Sequence, residues 1–237
     1  MAPLVPPERR GGKGLAAATS LAQERIMNPW DRFVVPVLIR FACSQGEIMK
    51  RRALVVPGAR GRTLELGCGG GINLPLYDPE AVPVVVGIDP HPSLARATRE
   101  KARDLPIPVR VHEGVAEVLP FPDASFDTVV TTFTLCSVTD PASALAEARR
   151  VLKPDGRLLF VEHGLSPDAD VAKAQHRIEP VWKRIAGGCH LTRPVTAGIE
   201  AAGFRVLEGD KGYARRTPRF AGWMEWGVAA KDDITSR

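Results

Sequence analysis

The stretch Thr63-Leu64-Glu65-Leu66-Gly67-Cys68-Gly69-Gly70-Gly71-Ile72-Asn73 sets a short apolar run, with one carboxylate inside it, against four glycines in the five positions 67–71. A run this short, ended by glycines, reads as a buried strand entering a tight turn. A turn so bare of side chains lets a ligand press against the main chain, where any Cβ would collide with it. Outward from this turn the pattern is regular. Strand-like runs alternate with helical stretches: TLELG, then INLPLY; VPVVVGID, then SLARATREKARD; VRVHEG; FDTVVTTF, then ASALAEARRVL; RLLFVEH. Such alternation predicts an α/β domain, a largely parallel sheet with helices on both faces. Asp155-Gly156 supplies a turn into the fifth strand.

On either side of this core the chain changes character. Residues 1–14 (MAPLVPPERRGGKG) read as a disordered arm, since proline, glycine and charge leave little to bury. Residues 15–60 read as a helical lid: a short helix over 15–27, a stop at Asn28-Pro29, then an apolar-faced helical stretch over 31–56 that must accommodate Pro36. Residues 61–237 hold the α/β domain. Within it, residues 168–186 are helical with a break at Glu179-Pro180, residues 192–202 form another helix ending at Gly203, and residues 204–208 and 223–230 are closing strands.

The 237 residues suffice for one α/β domain with a full core. A net charge of +5 suggests mild attraction to anionic surfaces, but Lys50-Arg51-Arg52 and Arg215-Arg216 are short clusters, read as solvated helix or loop ends rather than a nucleic-acid face. The four cysteines, Cys43, Cys68, Cys136 and Cys189, lie far apart and form no C-x-x-C pair. Neither a zinc module nor a disulfide framework is expected, and a reducing, cytoplasmic setting is. The most apolar run, residues 33–43, is interrupted by Pro36 and Arg40 and falls well short of the about 20 residues that cross a bilayer.

Three kinds of ligand use glycine turns. A Walker loop needs a lysine and a hydroxyl that are absent here. A dinucleotide turn reads G-x-G-x-x-G, yet position 72, where the third glycine belongs, is Ile72. The carboxylate of Glu65 would repel a pyrophosphate and attract the ammonium and sulfonium groups of S-adenosylmethionine. Asp89, which closes the second strand, is placed to accept hydrogen bonds from ribose hydroxyls. Glu65 and Ile72 together favour S-adenosylmethionine.

The series LELGCGGG, VVVGIDP, EGVAEVLPFPDASFDTVV and RVLKPDGRLLFVEH resembles the class I S-adenosylmethionine-dependent methyltransferases over residues 62–163. The resemblance implies a Rossmann-like, mostly parallel seven-stranded sheet with one antiparallel strand near its C-terminal edge. It also implies donor contacts from Glu65, Gly67, Cys68, Gly69, Gly71, Asp89 and Pro90, from Ala116 and Glu117 beside the adenine, and from Thr132 and Phe133. Many members of that family carry an aspartate where Val115 stands. The segments FTLCSV (133–138) and HRIEPVWKRIAGGCHLTR (176–193), with the Glu162-His163 pair, resemble the thiol S-methyltransferases of the methyltransferase-like-seven group.

A thiol acceptor is partly ionised near neutral pH and needs no general base. Ligands of open α/β sheets bind at the carboxyl ends of the strands, which places Cys136, Glu162, His163 and His190 near the acceptor. Three of them are the catalytic candidates. His163 either deprotonates the acceptor or holds the loop after the fifth strand, Glu162 reads as an anchor, and His190 completes the set. Cys136 and Cys189 read as small buried fillers. No metal is expected, because Cys189-His190 and His163 lack metal-ligand spacing. Lys183 and Arg193 read as salt-bridge partners around a lid, and Trp30 and Trp182 as core or acceptor-pocket walls.

Residues 31–41 and 176–191 form the expected helical cover, whose apolar composition favours a small apolar acceptor. Three readings remain: thiol S-methylation; methylation of a quinone precursor or phospholipid at a membrane surface, which the mild positive charge would suit; and a non-catalytic S-adenosylmethionine-binding module. Nucleic acid is not an expected partner, for no Asn/Asp-Pro-Pro-Tyr/Phe motif follows the fourth strand.

Overall fold

The computed structural model describes residues 34, 35, 37, 43, 44 and 46–232. The expected arm (1–14), the helix over 15–27, Trp30 and most of the 31–41 cover lie outside the described residues.

The segment that precedes the sheet ends in helix α1 (Gly46–Val55) and a short 3-10 turn at 56–58. The sheet then builds outward from its centre. β1 (Arg62–Leu66) pairs in parallel with β2 (Val84–Asp89) on one side and β4 (Phe126–Thr132) on the other. β3 (Val109–Glu113) extends the β2 edge. β5 (Leu152–His163) joins β4 in parallel, and β7 (Trp223–Lys231) inserts antiparallel between β5 and β6 (Phe204–Tyr213). The order β3-β2-β1-β4-β5-β7-β6 is the mostly parallel seven-stranded sheet that the resemblance implies.

Strands that read as unbroken apolar runs do so because both of their faces are covered. The period of two sorts them. Leu64, Val86, Val129, Leu158 and Phe160 point into one core with α3 (Pro141–Val151) and α5 (Val195–Ala201), while Val85, Val130, Leu159 and Val161 point into the other with Val55, Tyr77 and Val82. The helices start where their caps dictate. α2 (Pro92–Ala102) and α3 each begin with proline, and Asp140 caps α3 by accepting from the Ala142 amide at 3.0 Å.

Several expectations are corrected. INLPLY forms only a 3-10 turn at Leu74–Leu76, with Pro75 inside it. α4 (Ala169–Ile185) runs unbroken through Pro180. Pro180 and His176, whose carbonyl loses its amide partner, both lie on the exposed face, so water can serve that carbonyl. The helix expected over 192–202 begins only after Pro194. Asp155-Gly156 lies within β5, in an irregularity of the β4–β5 ladder, rather than before the strand. No helix among the described residues is long and apolar enough to cross a membrane.

Candidate functional site

The strand order reverses direction between β1 and β4, which opens a crevice at their carboxyl ends. A small cleft lies there, lined by Cys43, Arg52, Glu65, Gly67, Cys68, Gly69, Ile72, Thr132 and Phe133. Gly67, Gly69, Gly70 and Gly71 all have positive φ, so the turn curls in a conformation that a side chain would strain. A Cβ on Gly67 would fall 2.3 Å from Thr134 Oγ1. On Gly69 it would meet nothing closer than Gly67 O at 3.5 Å, leaving that position open towards a ligand.

Glu65 is 1% exposed. Its Oε1 accepts from Asn73 Nδ2 at 2.8 Å and its Oε2 from Tyr77 Oη at 2.9 Å. Burial nevertheless pushes its pKa up to about 7, with Tyr77 and Arg52 pulling the other way. Asp89 fastens the turn: its two oxygens accept from the Gly69 and His91 amides, each at 2.9 Å, and burial raises its pKa as well. Two buried carboxylates held above their ordinary range would both be relieved by an incoming cation, while a phosphate would add to the strain. The residues therefore fit the ammonium and sulfonium groups of S-adenosylmethionine.

Of the other donor candidates, Thr132 and Phe133 line the cleft. Phe133 holds a positive φ of 55°, rare for an aromatic residue and common where a site imposes strain. Cys68 turns its sulfur towards Thr98 and Gly87, so its main chain is what borders the turn. Gly71 closes the turn by donating to Cys68 O, Pro90 is exposed beyond β2, and Ala116 is buried in the core. Glu117 accepts from the Thr139 and Asp140 amides, which commits it to the loop before α3.

Arg52 was legible only as part of a basic cluster, and its expected place in solvent is wrong. It is 4% exposed, donates to Asn73 Oδ1 at 2.7 Å and Thr132 Oγ1 at 2.5 Å, and lies over the Phe133 ring. A single sequence gives no signal for this, because α1 must first dock its inner face across the sheet ends. Arg51 stacks over Trp226.

The acceptor candidates separate. Glu162 Oε1 accepts from Thr131 Oγ1 and from the Thr134 and Leu135 amides, as an anchor would. His190 Nδ1 meets Glu179 Oε1 at 3.0 Å, and the other Glu179 oxygen accepts from the Leu191 and Thr192 amides and the Thr192 hydroxyl. Those contacts hold Glu179 below the ordinary carboxylate range, although burial alone would raise it. His163 stands elsewhere. Its Nε2 is 2.9 Å from Cys189 Sγ, its ring lies 6.0 Å from that of Phe133, and its buried Nδ1 meets no hydrogen-bond partner among the described residues. Cys136, 27 residues before it, and Cys189, 26 after it, are buried as fillers would be and converge on the same spot. Trp182 donates to Cys189 Sγ at 3.3 Å and stacks edge-on against Phe220. Arg193 donates to the carbonyls of Leu135 and Val138 rather than forming the expected salt bridge.

Residues 64–160 match the family described as "Methyltransferase domain". Thiol S-methyltransferase TMT1B of Rattus norvegicus is 40% identical over 152 residues, 61% of this chain and 60% of that protein. Phosphatidylethanolamine N-methyltransferase of Cereibacter sphaeroides is 40% identical over 136 residues, 55% of this chain and 66% of that protein. Thiol S-methyltransferase TMT1A of Homo sapiens is 32% identical over 188 residues, 72% of this chain and 75% of that protein. The chain thus spans less than two thirds of the length of the TMT1B proteins it matches.

Proposed function

This chain belongs to the class I S-adenosylmethionine-dependent methyltransferases, and from that premise we propose that it methylates the sulfur of small apolar thiols. The observation that carries the reading is the buried carboxylate pair, Glu65 and Asp89, on either side of a glycine turn whose cleft is walled by Phe133. When bound, S-adenosylmethionine supplies a methyl group on a cationic sulfur that is already a good leaving group. Glu65 would face the donor's positive charge, Asp89 its ribose hydroxyls, and the main chain of Gly67, Gly69 and Gly71 its flank. Thr132 and Phe133 would form the wall nearest the acceptor, and Pro90 with the main chain of Ala116 and Glu117 would frame the adenine end, since the side chains of those two are taken up by the core and by the loop before α3. What remains for the protein is alignment and the exclusion of water.

A thiol suits this site because it is partly ionised near neutral pH and needs no general base, while Glu162 Oε1 and His190 Nδ1 are engaged in holding loops. The likeness to the TMT1A and TMT1B proteins supports the same acceptor class. We place residues 15–60 as a cover on the cleft, a role consistent with Cys43 and Arg52 lining it. The four described cysteines are unbridged, which favours a reducing compartment such as the cytoplasm.

The likeness to the phosphatidylethanolamine methyltransferase favours a second reading, a headgroup amine taken from a membrane surface. The deciding experiment measures S-adenosylhomocysteine release from a panel of alkyl and aryl thiols, phenols, amines and phosphatidylethanolamine vesicles, with co-sedimentation on the vesicles. Turnover confined to thiols is expected. Faster turnover of the vesicle headgroup, or tight donor binding with no product from any acceptor, would sink the thiol reading. Removing residues 1–45 should cut thiol turnover far more than donor affinity; equal retention of both would remove the cover.

A further inference from the structure

We propose that Cys136, His163 and Cys189 form a binding site for a zinc-class metal ion, with its fourth position open to the sulfur of the acceptor. Only the fourth position rests on the thiol reading; the three-residue site stands apart from it.

The three ligand atoms all lie within 4.8 Å of one another. Tetrahedral zinc, with Zn–S of about 2.3 Å and Zn–N of about 2.0 Å, requires S···S separations of about 3.8 Å and S···N of about 3.5 Å. The His163–Cys189 pair, at 2.9 Å, needs to open by about 0.6 Å to meet that geometry. Two thiols and an imidazole form a borderline-soft donor set suited to zinc. Three protein ligands leave a position for water or substrate, whereas purely structural zinc sites are closed by four. Among the described residues no fourth His, Cys, Asp or Glu joins the cluster. His190 is turned onto Glu179, and Glu162 holds the backbone of Thr134 and Leu135.

The surroundings hold the ligands in place. The His190 amide donates to Cys136 O at 2.7 Å, which ties the two cysteine loops together, and Glu179 pins the residues after Cys189. Trp182 Nε1 donates to Cys189 Sγ, and the Arg193 guanidinium is fixed on the carbonyls of Leu135 and Val138 close to both cysteines. A hydrogen-bond donor and a cation beside two sulfurs favour their thiolate forms, as outer-shell groups do in metal sites. Without a metal, its hydrogen bond to Cys189 and burial raise the pKa of the Cys136 thiol. Metal binding would release the thiol protons to solvent.

The cluster borders the donor cleft through Phe133, which lines the one and packs on His163 in the other. An acceptor thiol entering the open position would lose its proton to solvent. Its sulfur lone pair would then form the new S–CH3 bond as the donor's C–S bond breaks, with that electron pair returning to the donor sulfur. The thioether formed is neutral and a poorer ligand than the thiolate, which frees it to leave.

The test uses the full chain under reducing conditions, titrated with Co(II) and then displaced by Zn(II). One Co(II) per chain, with a thiolate-to-metal charge-transfer band that an added aryl thiol perturbs, is expected. C136S/C189S should lose affinity by at least about 100-fold while S-adenosylhomocysteine binding, read by calorimetry, stays within about threefold. Absence of the band in the unmutated protein, or its survival in the double variant, overturns the site. The first of these outcomes does not depend on whether the variant folds. A band unmoved by thiols overturns the open position alone. Thiol turnover unchanged after chelator treatment overturns the catalytic part while leaving the thiol reading intact. A metal-loaded protein that turns over no thiol retains the site and sinks that reading instead.

Discussion

Replacing Glu65 with glutamine should stabilise the protein at alkaline pH while weakening its hold on the donor. Burial raises the Glu65 pKa from 4.5 to about 7. Below pH 4.5 the carboxyl is protonated in folded and unfolded chains alike, so it has no effect on stability. Between 4.5 and 7 the unfolded chain ionises first, the folded chain binds the extra proton, and stability falls as pH rises. Above pH 7 the loss is complete. The gap between 4.5 and about 7, at about 1.36 kcal/mol per pH unit, comes to about 3 kcal/mol. The amide in E65Q would escape that loss, its oxygen still accepting from Asn73 and its nitrogen donating to Tyr77 Oη, which reverses the native bond from that hydroxyl. In urea denaturation without ligand, the advantage of E65Q over the unmutated protein should widen by about 2.5 kcal/mol between pH 5 and pH 8. At pH 8 its affinity for S-adenosylmethionine should fall about tenfold or more, because a carboxylate facing a cation in a site of moderate dielectric is worth more than about 1.4 kcal/mol. A variant less stable than its parent at pH 8, or a stability difference that ignores pH, would refute the reasoning.

Two glycine substitutions should fail differently. Gly67→Ala drives a Cβ into Thr134 and should cost about 3 kcal/mol of stability, whereas Gly69→Ala should cost about 1 kcal/mol of backbone strain yet weaken donor binding at least about tenfold. Melting curves and calorimetry separate the two. Arg52→Met strips a buried guanidinium from Asn73 and Thr132 and removes a cation that lowers the Glu65 pKa. It should destabilise by about 3 kcal/mol and move the stability–pH profile of Glu65 to higher pH, as urea denaturation across pH would register. Glu179→Gln weakens the anchor of the loop after Cys189 and should cost about 2 kcal/mol near neutral pH. Because the folded state lowers the Glu179 pKa, its contribution is present above 4.5 and lost on acidification, so the gap between variant and parent should close at low pH.

The parallel half of the sheet was legible because buried strands carry their own signature: VVVGID and FDTVVTT set β-branched residues on both faces. The donor turn was legible for the same reason, since glycine announces a backbone need that no neighbour can mask. Pro180 misled because a helix break depends on where the orphaned carbonyl points, and His176 faces water. Arg52 was hidden because its role depends on docking α1 across the sheet, which local sequence does not encode. The cluster of Cys136, His163 and Cys189 was hidden by distance along the chain. Its members come from the loop after β4, the end of β5 and the loop after α4, and only the parallel crossover topology brings them together.

The position of β7 orders events at the ribosome. β6 finds its sheet partner in β7, and the second ladder of β5 is also made with β7, although β7 is the last of the seven to be synthesised. A nascent chain therefore carries two unsatisfied edges, one of them flanked by the buried face of Leu158 and Phe160, until residues 223–231 emerge. Stalled or nicked products that lack this final segment should be the species captured by chaperones and cleared by proteases.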